Sequence, residues 1–229
     1  MTEHRVALIT GGSGGIGRAC ARELAAAGFS VTLTARDPER LAAAASETGA
    51  DRWIAADSAD EDGAAAIAAA VPSVDVLLLV AGVNTAQVPL REVSAETFDQ
   101  VIRANLRSAF LLSKAIVPRM AKGGRVIFVS STAAARGLPG FGAYSASKAG
   151  LRALAGALAG EIAADGINVS VLTPGPVDTS MFDTGPADVA LLRPRDVALA
   201  ARYLAELHPS VSVEELTLRA NRHHGVTFS

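Results

Sequence analysis

Short apolar runs alternate with helical patterns along almost the whole chain, and this alternation restricts the possible folds more than any other feature. The runs are Val6 to Thr10, Ser30 to Thr34, Trp53 to Ala56, Val74 to Val80, Arg125 to Ser130, Ile167 to Leu172 and Leu216 to Leu218. A strand that leads through a helix to another strand in the same sheet returns by a right-handed crossover, which makes the strands parallel. The runs do not alternate strictly between apolar and polar residues, as expected where helices cover both sheet faces. The expectation is an α/β fold: one doubly wound domain spanning 1–229, with a seven-stranded parallel sheet.

The chain length supports that reading. A domain of 229 residues buries about 70% of its unfolded surface and needs no metal or disulfide staple. Half the residues are apolar and only 4% aromatic, so closely packed helices and aliphatic strands should make the core. No repeat, low-complexity linker or charge block marks a boundary. The 21 basic and 23 acidic side chains give a formal charge of -2, which offers no footprint for nucleic acid or an anionic membrane. The most apolar stretch, Val74 to Val83, is about half the length of a membrane span. Met1 to Arg5 leads into the first run without a signal-peptide pattern. Cys20, the only cysteine, cannot form an intramolecular disulfide and reads as a buried thiol in a helix. The expected setting is the cytoplasm.

Two segments read as long helices. One is capped by Ser94 and continues through Asn105 to about Met120, and the other runs from about Ala143 to Ala164. Between Thr173 and Arg195 the prolines suggest a loop bordering a ligand site, a candidate lid.

Thr10-Gly11-Gly12-Ser13-Gly14-Gly15-Ile16-Gly17 follows the first strand and opens the first helix. There, backbone N–H groups and the helix dipole can face a pyrophosphate at close approach. The second strand ends in Ala35-Arg36, with no carboxylate where an NAD-binding fold usually engages the adenosine ribose. The guanidinium that follows suits a 2'-phosphate. Asp37 would repel such a phosphate, but it is better placed as the N-cap of a helix begun by Pro38. NADP(H) is therefore expected over NAD(H).

Tyr144-Ser145-Ala146-Ser147-Lys148 puts a phenol and an ammonium four residues apart on one helix face. A tyrosine with a pKa near ~10 is a poor acid at neutral pH, and an adjacent cation favours its ionised form. The glycine turn, a later Asn, a Ser and this YxxxK, in that order, resemble the short-chain dehydrogenase/reductase family over almost the full chain.

The resemblance implies a Rossmann-like domain, with Gly11, Gly15 and Gly17 at the pyrophosphate turn and Asp57-Ser58 beside the adenine. It makes Asn105, Ser131, Tyr144 and Lys148 the catalytic set, with Ser131, thirteen residues before Tyr144, preferred to Ser130. Pro174-Gly175-Pro176-Val177-Asp178-Thr179 resembles the family segment in which the Val177 backbone and the Thr179 hydroxyl hold the nicotinamide carboxamide. The family's usual Asn-Asn-Ala-Gly is here Leu79-Val80-Ala81-Gly82. Ala81 and Gly82 keep the backbone approach to the cofactor, while the asparagine side-chain bonds are missing. Leu138, Phe141, Met181 and Phe182 are candidate pocket residues, favouring an apolar carbonyl compound.

The activity implied is hydride transfer between NADP(H) and a ketone, aldehyde or alcohol. Tyr144 would be the proton donor, Ser131 the carbonyl's partner, Lys148 the group that lowers the phenol and holds the ribose, and Asn105 the support for a water. The resemblance further implies a homodimer or homotetramer packed through the helices of Asn105 and Tyr144. Two alternatives stand beside this reading: a nonenzymatic NADP(H)-binding sensor of the same fold, and an NAD-dependent alcohol dehydrogenase. Adjacent His223 and His224 diverge without a Cys/His cluster, and His4 and His208 add nothing, so no metal is expected.

Overall fold

In the computed structural model, which describes residues 5–84, 87–182 and 190–221, the strands are β1 (Val6–Thr10), β2 (Ser30–Ala35), β3 (Arg52–Ala55), β4 (Val76–Leu79), β5 (Arg125–Val129), β6 (Asn168–Pro174) and β7 (Glu215–Leu218). All pair in parallel, in the order β3-β2-β1-β4-β5-β6-β7. The winding reverses between β1 and β4, where folds of this kind open a crevice at the carboxyl ends of the strands. The helices are α1 (Gly15–Ala26), α2 (Pro38–Thr48), α3 (Glu61–Ala70), α4 (Ala95–Ile102), α5 (Ser108–Ile116), α6 (Ala133–Arg136), α7 (Gly142–Ile162) and α8 (Pro194–Glu206).

Alternate strand residues enter two different cores. Ala7, Ile9, Val76, Leu78, Ile127 and Val129 pack with α1, α2 and α8, while Leu8, Leu77, Leu79, Val126 and Phe128 pack with α3, α5 and α7. The period of two that separates strand faces therefore leaves no polar mark in the central strands. Each large side chain so buried contributes about 1.5–3 kcal/mol.

Local signals set the helix ends. Arg40 N donates to Asp37 Oδ1 at 3.0 Å, with Pro38 in the first turn and Gly49 closing the helix at φ 72°. Ser94 caps α4 by accepting from Thr97 N at 3.1 Å. The single helix expected from Ser94 to Met120 is interrupted. Arg103–Arg107 form a π-helical turn between α4 and α5, where Ser108 Oγ donates to Ala104 O at 2.7 Å. Pro118 then tightens the end into a 3-10 turn, Val117–Arg119, because proline cannot donate to the ladder. The other long helix keeps nearly its expected bounds.

The expected loop from Thr173 to Arg195 begins as the last residues of β6 and ends on α8. Its neck is pinned by a parallel bridge between Val177 and Leu192, with Asp178 N donating to Leu192 O and Leu192 N to Pro176 O, both at 2.8 Å.

The loop after β4 is tied back to β1 by a hydroxyl. Thr10, 2% exposed at the end of β1, accepts through Oγ1 from both Val80 N and Ala81 N at 2.9 Å. Thr10→Val keeps the shape and removes that acceptor, leaving two N–H groups without a partner. Loss of about 1–3 kcal/mol per unsatisfied group is expected, read as a lower urea midpoint. An unchanged midpoint would show that the hydroxyl does not tie the two strands together.

Candidate active site

Functional groups gather where the strands end. At β1 the chain turns through Gly11, φ 64°, where a Cβ would lie 2.9 Å from Ala81 Cα. A Cβ at Gly17 would strike the Gly11 carbonyl oxygen, and one at Gly15 would lie 2.9 Å from Thr179 Cγ2. These positions bring the turn, the β4 loop and the segment after β6 together. Gly14 N-caps α1, whose first turn carries no acidic residue. Ser13 contributes its carbonyl to Arg18 Nε at 3.1 Å, and Ile16 packs on the adjoining core. A helix N-terminus with open N–H groups and no competing carboxylate fits a pyrophosphate, so the residues present suit a dinucleotide.

Beyond β2, Arg36 is exposed and the Asp37 carboxylate is committed to its own helix. After β3, Asp57 Oδ1 accepts from Ala59 N at 3.0 Å, and Oδ2 accepts from Arg103 Nη2 at 2.9 Å. Ser58 is half-buried beside it. Arg103 Nη1 and Arg107 Nε both donate to Ala59 O, at 2.8 and 3.0 Å. The π-helical turn thus clasps the loop that carries Asp57, an arrangement the sequence does not signal. After β6, Gly175 N donates to Leu218 O and Thr132 N to Pro174 O, at 2.8 and 3.0 Å. Thr179 Oγ1 donates to Val177 O at 3.4 Å.

Asn105 lies in the π turn, fully buried. Its Oδ1 accepts from Val83 N at 2.7 Å, and its Nδ2 donates to Val83 O at 3.0 Å. Over Gly82, a Cβ would be 3.2 Å from Asn105 Oδ1 and 3.3 Å from Lys148 Nζ, so carboxamide and ammonium border one narrow space. Lys148 Nζ donates to Val129 O at 2.9 Å and stands 5.8 Å from the centre of the Tyr144 ring. The Ser131 hydroxyl lies close enough to the Tyr144 phenol to act on its ionisation, and it accepts from Ala133 N at 3.2 Å. Ser130 is turned away, donating to Lys148 O at 3.0 Å. The structure therefore brings Asn105, Ser131, Tyr144 and Lys148 to one end of the sheet.

The electrostatics depart from expectation at Tyr144. Burial raises its phenol above the ordinary 10.0, with the neighbouring Ser131 hydroxyl acting the other way. The Lys148 ammonium, held on the Val129 carbonyl 5.8 Å from the centre of the ring, does not offset this rise. Burial alone pushes Lys148 down from 10.5 to about 8. The Cys20 thiol, pushed up to about 12 by burial and then by Glu23, is an inert core group.

The expected pocket residues divide. Leu138 lines a cavity of about 880 Å³ with Leu90, Ala146 and Ala149, on the face of α7 turned away from Tyr144. Phe141 immediately precedes α7, Met181 is exposed, and the Phe182 side chain lies outside the described residues. His4, His223 and His224 lie outside them as well. Among the described residues no three His, Cys, Asp or Glu side chains are grouped to hold a metal, and no helix is long and apolar enough to cross a membrane.

Comparison with known proteins places this geometry. Residues 5–189 match the short chain dehydrogenase family, and the chain belongs to it. Its reaction class is accordingly hydride exchange between a nicotinamide cofactor and a carbonyl or alcohol group. A cis-4-hydroxycyclohexanecarboxylate dehydrogenase of Sinomonas cyclohexanicum is 36% identical, over 88% of this chain and 89% of that one. An NAD(+)-dependent 2-dehydro-3-deoxy-L-rhamnonate dehydrogenase of a Sphingomonas species is 35% identical, over 80% and 76%. A Burkholderia cenocepacia short chain dehydrogenase, solved in complex with NADP, superposes with a TM-score of 0.87 at 30% identity, over 94% and 96%.

The Lys148 shift carries a stability consequence. Between pH 8 and 10.5 the unfolded chain holds a proton that folded Lys148 has released, so this group makes the fold more stable as pH rises and weighs on it fully below pH 8. Cys20 and Tyr144, both raised, act oppositely at higher pH, but both are present in Lys148→Met. The difference in unfolding free energy between that variant and the parent should move in the parent's favour by up to about 1.4 kcal/mol per pH unit across the window. Urea titrations at several pH values measure it, and a difference independent of pH would show that Lys148 is not desolvated in the fold.

Proposed function

We propose that the chain is an NADP(H)-dependent carbonyl reductase, running in reverse as an alcohol dehydrogenase, with Asn105, Ser131, Tyr144 and Lys148 as its catalytic set. The observation that carries this reading is the convergence of the Tyr144 phenol, the Ser131 hydroxyl and the buried Lys148 ammonium beside the glycine cradle. When bound, the nicotinamide supplies or accepts the hydride. Ser131 would donate a hydrogen bond to the substrate oxygen. Tyr144, kept neutral by burial, would pass its proton to that oxygen as negative charge develops. Lys148, charged below about pH 8, would steady the phenolate left behind and hold the ribose hydroxyls. Asn105, with its carboxamide spent on neighbours, would hold the turn past which water reaches Lys148. General acid catalysis of this kind contributes about 100 to 10,000-fold.

Residues 1–229 would form a single domain that binds the cofactor. Gly11, Ser13, Gly14, Gly15, Ile16 and Gly17 would face the pyrophosphate, Asp57 and Ser58 the adenine, and Ala81 and Gly82 the ribose. Pro174, Gly175, Val177 and Thr179 would flank the carboxamide. NADP is favoured over NAD because Ala35 offers no carboxylate, Arg36 is exposed, and Asp37 is held by α2. The NADP complex of the Burkholderia relative supports this, while the Sphingomonas relative shows that the family also uses NAD. Phe141 and Met181 favour a mostly apolar ketone or aldehyde. The exposed rings of Phe98 and Phe110 on α4 and α5 favour a homodimer or homotetramer. Cys20, buried and without a second cysteine, is compatible with the cytoplasm.

Tyr144→Phe should keep NADPH affinity, measured by fluorescence titration, and lose at least about 100-fold in turnover on a panel of apolar ketones and aldehydes. Near-parental turnover would remove Tyr144 from the proposed role. The parent should bind NADPH roughly 10 to 100-fold more tightly than NADH, at one fixed ionic strength because an exposed ion pair weakens with salt. Ala35→Asp with Arg36→Leu should reverse that order. Equal or tighter binding of NADH by the parent would overturn the cofactor preference and leave the reaction class untouched.

A further inference from the structure

We propose that Ser147 is a positioning residue for hydride transfer, setting the orientation of the Asn105 carboxamide against the Tyr144–Lys148 turn; this rests on the catalytic roles proposed above. Ser147 is fully buried in α7, next to Lys148 in sequence and three residues after Tyr144. Its Oγ donates to Tyr144 O at 2.7 Å and accepts from Asn105 Nδ2 at 2.9 Å. A hydroxyl has one proton. With that proton directed at the Tyr144 carbonyl, Ser147 can meet Asn105 only as an acceptor, so Asn105 must present its NH2 group.

Val83 and Ser147 hold that orientation together, since the Val83 carbonyl takes the second proton of Nδ2 while its N–H donates to Oδ1. Both amide protons of Asn105 are therefore used, and the oxygen is turned away from Ser147. That oxygen borders the space over Gly82 that Lys148 Nζ also borders. The reversed amide would present N–H dipoles to a desolvated cation, the costly arrangement where the local dielectric is low. Ser147 thus ties the helix that carries Tyr144 and Lys148 to the π-helical turn, and Asn105 carries the connection on to the loop after β4. Ser145, two residues earlier on α7, is also buried, yet its hydroxyl only accepts a 3.4 Å bond from Leu138 N. Packing of this helix does not by itself call for a serine hydroxyl bonded on both sides.

Ser147→Ala removes the hydroxyl with little loss of volume. With NADPH and whichever of cyclohexanone, benzaldehyde and ethyl acetoacetate turns over fastest, kcat should fall about tenfold with KM for both reactants within about twofold. Ser147→Thr, which retains a hydroxyl able to bond the preceding turn, should restore most of the rate. In an Asn105→Ala background the further effect of Ser147→Ala should shrink to less than about twofold, because residues acting through one another are not additive. Amide exchange across Arg103–Arg107 should quicken in Ser147→Ala while exchange in α1 stays as in the parent, a readout that requires no turnover. Parental kcat, an equal loss in both backgrounds, or unchanged exchange would overturn the proposal. Tyr144→Phe in the same assays separates the two readings: if it retains turnover, the catalytic assignment has failed. If it is inactive while Ser147→Ala behaves as the parent, only the role of Ser147 has failed.

Discussion

A parallel sheet buried on both faces leaves its polar residues few places except the strand ends, and the arrangement of this chain follows from that constraint. Central strands such as β4 and β5 carry aliphatic and aromatic side chains into two cores, and no functional group could stand among them without losing its water. The hydroxyl of Thr10 appears only at the last residue of β1, where it meets two N–H groups of the neighbouring loop. Because all seven strands point the same way, the carboxyl ends collect on one rim. Turns far apart in sequence thus become neighbours without any long-range polar contact having to draw them there.

At that rim the π-helical turn is the second organising device. One extra residue in a helical turn swings side chains off the regular spiral, and here it serves two directions. Arg103 and Arg107 reach outward to the loop after β3, while Asn105 points inward to Val83 and Ser147. The ion pairs among the outward contacts, Arg103 with Asp57 and Asp60, are partly exposed and add little stability on their own. Their effect is geometric, since the loop carrying Asp57 cannot shift far without disturbing the turn that carries Asn105.

The sheet and the gathering of Asn105, Ser131, Tyr144 and Lys148 at its rim were legible because each rests on a local signal: an apolar run, a cap, a glycine turn or a fixed spacing. Asp37 illustrates this, its place ahead of Pro38 being enough to assign its carboxylate to α2. The π turn was not legible, because a shifted backbone bond leaves no residue signature in Arg-Ala-Asn-Leu-Arg. Arg103's partners were hidden because they lie in another loop. Leu138 misled for a different reason. It stands close to Tyr144 in sequence, but Gly137 and Gly140 take the left-handed conformation at φ 60° and 81° on either side of it, and the residue ends on the opposite face of α7. The rise of the Tyr144 phenol was likewise out of reach, since spacing predicts a cation nearby but not the burial that outweighs it.

The glycines of the turn after β1 divide into two kinds, with different prospects under mutation over evolutionary time. At Gly11 and Gly17 an added methyl would collide with main-chain atoms of Ala81 and of the turn itself, which no neighbouring substitution can trim away. At Gly12 and Gly15 the obstacle is a side chain: Leu33 in one case, Thr179 in the other. An alanine at Gly15 could be accommodated by a serine at Thr179, which removes the obstructing methyl and keeps the hydroxyl. Homologous chains should therefore hold the first pair constant, while the second pair drifts in step with its contacts. Covariation between positions 15 and 179 would then record a steric exchange between the glycine turn and the segment after β6, and a change in what is bound need not accompany it.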